Sequence, residues 1–232
     1  MPHSESQKSK LQKLDPRLRG EEKSIKLKVC GMRATQNITE LIAVQPDFIG
    51  FIFHEQSPRN VLEKPAISIP KEIKKVGVFV NKDNEFIAKK VTDFGLDFVQ
   101  LHGNESPKFC SELISPLERG LRGVFRIIKA FNIHEIFDFK QLAAYEPYCS
   151  YFLFDAFGQH AGGNGVAFNW ELLNNYKGKT PFLLSGGIDE TMVKTIQQIK
   201  HPQFIGIDIN SGFEIAPALK DVDKIKEFKM KI

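Results

Sequence analysis

The sequence predicts an α/β fold: a single-domain (β/α)8 TIM barrel at residues 25–232, preceded by a flexible basic N-terminal extension at residues 1–24. Three observations carry that expectation. From Ile25 onward, short β-branched or aromatic runs alternate with amphipathic stretches, which is the pattern of βαβ units and a parallel sheet. Eight such runs fit into about 205 residues, which suits a closed barrel better than an open sheet. Several runs are apolar without alternation, as in Phe-Ile-Gly-Phe-Ile-Phe at 48–53, and strands buried on both faces read that way.

The strands are expected at Lys26–Cys30, Phe48–Phe53, Lys75–Val80, Phe98–Leu101, Gly123–Ala130, Tyr151–Asp155, Pro181–Leu184 and Phe204–Asp208. Helical segments are expected at Asn37–Val44, in a short piece near Pro65–Pro70, and at Asp83–Phe94, Ser106–Leu113, His134–Tyr145, Asn169–Asn175, Asp189–Gln198 and Pro217–Lys229. Asp83 and Asp189 stand where helix N-caps belong, Pro107 suits a first turn, and Gly95 suits a helix stop.

Charge narrows the function classes. Residues 1–28 hold eight Lys or Arg against four acids, so the net charge of +4 lies wholly in that stretch. A nucleic-acid-binding domain would put its excess on a folded face, so no nucleic-acid partner is expected. No apolar run approaches the ~18 residues of a membrane span, and the first 25 residues lack the apolar core of a signal peptide. The three cysteines, Cys30, Cys110 and Cys149, make no Cys-x-x-Cys pair, so a reducing cytoplasm is expected.

In a parallel barrel the active site lies where the strands end. Cys30 ends the first strand and Asp155 the sixth, Gln100 and His102 straddle the end of the fourth, and Arg59 follows the second. Three glycine-bearing loops follow the last three strands: Ala-Gly-Gly-Asn-Gly at 161–165, Ser-Gly-Gly-Ile at 185–188 and Asn-Ser-Gly-Phe-Glu at 210–214. Glycine lets the backbone approach a ligand closely, and exposed N–H groups at helix starts favour an anion such as phosphate. Barrels often bind phosphate after strands seven and eight, which here means Gly186, Gly187, Ser211 and Gly212.

The chain carries, in order, Lys28-Val-Cys-Gly-Met32, Gly50-Phe-Ile-Phe with Ser57-Pro-Arg59, Val76-Gly-Val-Phe-Val-Asn81, Val99-Gln-Leu-His-Gly103, Phe154-Asp155-Ala, Gly162-Gly-Asn-Gly165 with Phe168-Asn-Trp170, Ser185-Gly-Gly-Ile188 and Asp208-Ile-Asn-Ser-Gly-Phe-Glu214. Taken together, these blocks resemble the phosphoribosylanthranilate isomerase family. The resemblance runs over residues 26–221 in order. This chain departs from the family pattern at Asn164, Val166 and Asn169, around the sixth loop.

The resemblance implies an Amadori rearrangement of a small phosphorylated substrate, with Asp155 as general acid, Cys30 as general base, and neither cofactor nor metal. An acid or base works best with a pKa near the working pH, so Asp155 is expected to be partly desolvated and Cys30 to sit in positive potential. Arg59 is the candidate for the anthranilate carboxylate, since a guanidinium pairs bidentately with one. Gly163, Asn164, Gly165, Gly186, Gly187, Asn210, Ser211 and Gly212 are candidates around the phosphate, and Gln100 and His102 for shaping the pocket. A homodimer or a partner enzyme of the same pathway stays open. The alternative is another phosphosugar isomerase or epimerase on the same barrel. A metal-dependent epimerase wants His and Asp at several strand ends, where only His102 qualifies, and an aminoimidazole-ribotide isomerase wants an Asp where this chain has Cys30.

Overall fold

A computed structural model describes residues 24–114, 125–156 and 170–232. Eight parallel strands close into a barrel in chain order: β1 (Lys26–Val29), β2 (Phe48–Ile52), β3 (Lys74–Phe79), β4 (Phe98–Leu101), β5 (Arg126–Asn132), β6 (Tyr151–Asp155), β7 (Phe182–Ser185) and β8 (Phe204–Ile209). β8 pairs with β1, with Lys28 opposite Asp208. The expected positions hold to within a few residues at the ends. Gly123 and Val124 lie outside the described residues, as do residues 1–23, nearly all of the expected extension.

Five α-helices are described: α1 (Thr35–Val44), α2 (Asn84–Phe94), α3 (Pro107–Ile114), α4 (Val193–Gln197) and α5 (Val222–Lys229). The caps act as the sequence implies. Asp83 accepts the Phe86 N–H, Gly95 ends α2 at φ 61°, and Pro107 opens α3. Asp189 accepts the Thr191 N–H, but the turn it starts is 3-10 at Glu190–Met192 before α4 begins.

Three expectations need correction. Residues 65–70 form no helix: proline stands at both ends of the segment, the Ile67 N–H closes a tight turn on the Pro65 carbonyl, and Ile67 and Ile69 pack on the core. The segment 134–145 is helical only as a 3-10 stretch at Phe139–Ala144, capped by Asp138. The last helix does not begin at Pro217. Glu214–Ala216 (β9) and Leu219–Lys220 (β10) pair as a hairpin turning through Pro217 and Ala218, whose φ is 65°. The helix starts only after Asp221, which caps Lys224.

Two apolar layers position the site. A large one packs the outer face of the sheet against the helices. A smaller one fills the barrel with Phe48, Val76, Phe98, Ile128, Ala130, Leu153 and Leu183. Phe98 sits edge-on to Phe48 and stacks on Tyr151. Residues two apart on a strand share a face. The inward positions of Phe98 and Leu153 therefore carry Gln100 and Asp155 to the inside, nearer the open C-terminal end.

Candidate active site

The C-terminal ends of the strands bring several of the predicted residues together. A cleft of about 220 Å³ is lined by Arg59, Asp155, Gly186, Gly187, Asp208, Asn210, Ser211 and Gly212, among others. A second cleft of about 330 Å³, lined by His102, Lys129, Phe131 and Tyr145, opens above β4 and β5. His102 joins the two, because its Nε2 lies 3.2 Å from Asp155 Oδ2. Its Nδ1 is held by the Gln100 amide at 2.9 Å. Gln100 is buried and holds the His102 ring. The Asp155 side chain is 15% exposed. Gly163, Asn164 and Gly165, together with His160, lie outside the described residues.

Cys30 follows β1 directly, and its N–H continues the ladder to the Ile209 carbonyl. It is 5% exposed. Burial pushes its thiol above the ordinary range, against the pull of Lys28 and Lys220. The expected positive surroundings are therefore present, but burial outweighs them. Behind the thiol, Lys28 is wholly buried and its Nζ donates to Asp208 Oδ2 at 2.7 Å. The other carboxylate oxygen of Asp208 is buried with no hydrogen-bond partner among the described residues. Burial, opposed by Lys28, raises the Asp208 carboxyl above its usual range.

Arg59 is already engaged. Its Nε and Nη2 grip Glu214 at 2.6–3.1 Å. Glu214 also receives Lys220 Nζ at 2.7 Å, and Lys220 donates to Asn210 Oδ1 at 2.6 Å. The Asn210 carboxamide thus turns toward Lys220. Burial opposes ionisation of Glu214, but Arg59 and Lys220 overcome it and hold the carboxyl below its ordinary range. Two glycines make this packing feasible. At Gly31, φ is 76° and a Cβ would stand 2.7 Å from Asn210 Oδ1 and 2.8 Å from the Arg59 Cδ. At Gly212 a Cβ would press into the Ile188 carbonyl, so the loops after β7 and β8 touch through backbone there.

Sequence reasoning did not single out Lys28, Glu214 or the contact role of Lys220. Lysine in a strand reads as surface, yet Lys28 stands two residues before Cys30, on the same face. That spacing was the available signal.

Residues 27–231 match the family model for N-(5'-phosphoribosyl)anthranilate (PRA) isomerase. The chain belongs to the PRA isomerase family. It is 47% identical over 211 residues to the N-(5'-phosphoribosyl)anthranilate isomerase of Parabacteroides distasonis, covering 89% of this chain and 92% of the relative. It is 45% identical over 202 residues to that of Phocaeicola vulgatus, covering 87% and 95%. Among solved structures, it is similar to a phosphoribosyl anthranilate isomerase in complex with reduced 1-(o-carboxyphenylamino)-1-deoxyribulose 5-phosphate. The TM-score is 0.71 at 26% identity, covering 89% of this chain and 97% of the other. PRA isomerases are aldose–ketose isomerases, and the strand-end placement of Cys30 and Asp155 is to be read in that light.

Among the described residues, no group of three or more His, Cys, Asp or Glu side chains is placed to hold a metal ion. No described helix is long and apolar enough to cross a membrane.

Proposed function

We infer that the chain converts N-(5'-phosphoribosyl)anthranilate to 1-(2-carboxyphenylamino)-1-deoxyribulose 5-phosphate in tryptophan biosynthesis, with Asp155 as acid and Cys30 as base. The observation that carries this reading is placement. Asp155, at the end of β6, lines a cleft with the glycine loops after β7 and β8, and Cys30 follows β1 at the same end of the barrel, buried close to two residues of that lining, Asp208 and Arg59.

The proton count closes with these two groups. Asp155 protonates the furanose oxygen, the C1–O bond breaks, and the nitrogen lone pair forms the iminium. Cys30 takes the C2 proton, and the electron pair moves through C1–C2 to nitrogen, giving the enolamine. For the ketone to form, C1 must gain a proton and the C2 hydroxyl must lose one. Cys30 returns its proton to C1, and Asp155 takes the hydroxyl proton. Both residues end as they began, so no redox partner is consumed. His102 keeps Asp155 aimed at the mouth through the 3.2 Å contact. The backbone of Gly186, Gly187, Ser211 and Gly212 cradles the phosphate, and such remote anchoring supplies orientation. Arg59, held by Glu214, presents Nη1 to the anthranilate carboxylate. The three cysteines are free thiols, which fits a reducing cytoplasm.

The test is turnover of substrate made in situ, followed by loss of its fluorescence, in wild type, Cys30→Ala and Asp155→Asn. Each variant should lose about 10²–10⁴-fold in rate with its fold intact. Wild-type-like turnover in either variant would remove that residue from its role.

A further inference from the structure

We propose that Lys28 is a positioning residue for the base: its ammonium, fixed between Asp208 and Cys30, is the counter-charge that holds the Cys30 thiolate. The inference deepens the reading above, since it takes Cys30 as the base. Lys28 and Cys30 share the inward face of the first strand and its extension. Lys28 is 0% exposed, and lysine is almost never fully buried without a partner. One partner is Asp208, 2.7 Å away across the β1–β8 register. The other is Cys30, whose thiol stands beside the ammonium over Gly50.

The neighbouring strand makes room for this arrangement. A Cβ at Gly50 would sit 2.9 Å from Cys30 Sγ and 3.3 Å from Lys28 Nζ. Sulfur and ammonium therefore share the space that any side chain at position 50 would claim. A lysine serving only to neutralise Asp208 would need no gap beside the sulfur. Nor is a buried ion pair a strong source of stability, because desolvation offsets most of the attraction.

Charges reach Cys30 from four elements: Lys28 on β1, Asp208 on β8, Lys220 on β10 and Arg59 in the loop after β2. Lys220 and Arg59 are both tied to Glu214, and Asp208 is tied to Lys28. Lys28 is the strongest of the cations that counter the burial of the thiol.

The experiment is alkylation of the full chain by iodoacetamide across a pH series, with modification at Cys30 quantified by peptide mass and the fold checked by circular dichroism. In Lys28→Met the midpoint of Cys30 reactivity should move up by at least one pH unit. That is a tenfold loss of thiolate at any pH below it. Because this variant leaves Asp208 unpaired, the second variant is Lys28→Met/Asp208→Asn, which removes both charges together. The midpoint should rise there too, by less, since the opposing carboxylate is also gone. The rising limb of kcat against pH should follow the alkylation midpoint, with KM changing less. A midpoint unchanged or lowered in either folded variant overturns the proposal. Alkylation is read without substrate, so an inactive wild type would count against the isomerase reading while leaving the hold of Lys28 on Cys30 to be judged by its own midpoint.

Discussion

Gly212→Ala isolates the contribution of the phosphate loops. The loops after β7 and β8 meet where a Cβ at 212 would press into the Ile188 carbonyl oxygen and stand 3.2 Å from its carbon. Gly212 does not occupy the left-handed region, so alanine carries no backbone penalty there and the effect is steric. The obstacle is backbone, which has no rotamer to escape into, so the loops must part by roughly an ångström to restore contact distance. Overpacking of this kind costs about 1–3 kcal/mol, and a misplacement of that size at a reacting centre can cost about 10²-fold. At about 1.4 kcal/mol per tenfold, kcat/KM should fall about 10–100-fold, mainly through KM. Inorganic phosphate gives a second readout. At ten times its dissociation constant it should stabilise wild type by about 1.4 kcal/mol, or roughly 3–6 °C in a domain of this size. A variant binding thirtyfold more weakly would gain less than about 1 °C at the same concentration. Kinetics and scanning fluorimetry on the folded variant decide it. Wild-type KM together with the wild-type phosphate shift would refute the assignment of these loops to the phosphate.

Two further outcomes follow from the packing and charge of the fold. The carboxyl of Glu214 is held below its ordinary range, so its ionisation stabilises the native state above the unfolded-state pKa, and that stability is lost as pH falls through the depressed native value. Melting temperature measured from pH 5 to pH 3 should therefore fall less steeply in Glu214→Gln than in wild type, and parallel curves would refute the linkage. Phe154 is buried against the rings of Phe139, Tyr176 and Phe182, so Phe154→Ala should cost about 3–5 kcal/mol in urea unfolding. A loss below 1 kcal/mol would mean that the ring cluster closes over the gap.

The barrel was legible because its strands are buried on both faces. Phe48–Ile52 and Phe152–Phe154 cannot hide their apolar character, and Asp83 and Gly95 mark the ends of α2 with groups whose hydrogen bonds are local. The misread segments are those where tertiary contact overrides local preference. Residues 214–220 carry little strand character, yet Arg59 and Lys220 both anchor Glu214, and that pins a hairpin where a helix was expected. Cys30 and Asp155 stood out as candidates because each ends an apolar run. The grip of Lys28 on Asp208 and of Arg59 on Glu214 could not, because an ion pair between residues 180 or 155 positions apart leaves no trace in either neighbourhood; Lys220, only 6 positions from Glu214, lay in a segment that read as helix.

On the roles proposed for them, Asp155 and Cys30 need different surroundings. Asp155 stands at the rim with a neutral-capable partner, His102, beside it and keeps some contact with solvent. Cys30 lies deeper, in a dry setting where a thiolate is costly unless a cation is fixed beside it. A thiol in bulk water would need no lysine, but water there would hydrolyse the iminium that ring opening creates. Burying the base protects the intermediate, and burial then makes the counter-charge necessary. Lys28 is buried in its turn, and needs Asp208. If Cys30 is the base, one requirement, a dry C2 proton transfer, accounts for the inward polar residues Cys30, Lys28 and Asp208, and for the missing side chain at Gly50.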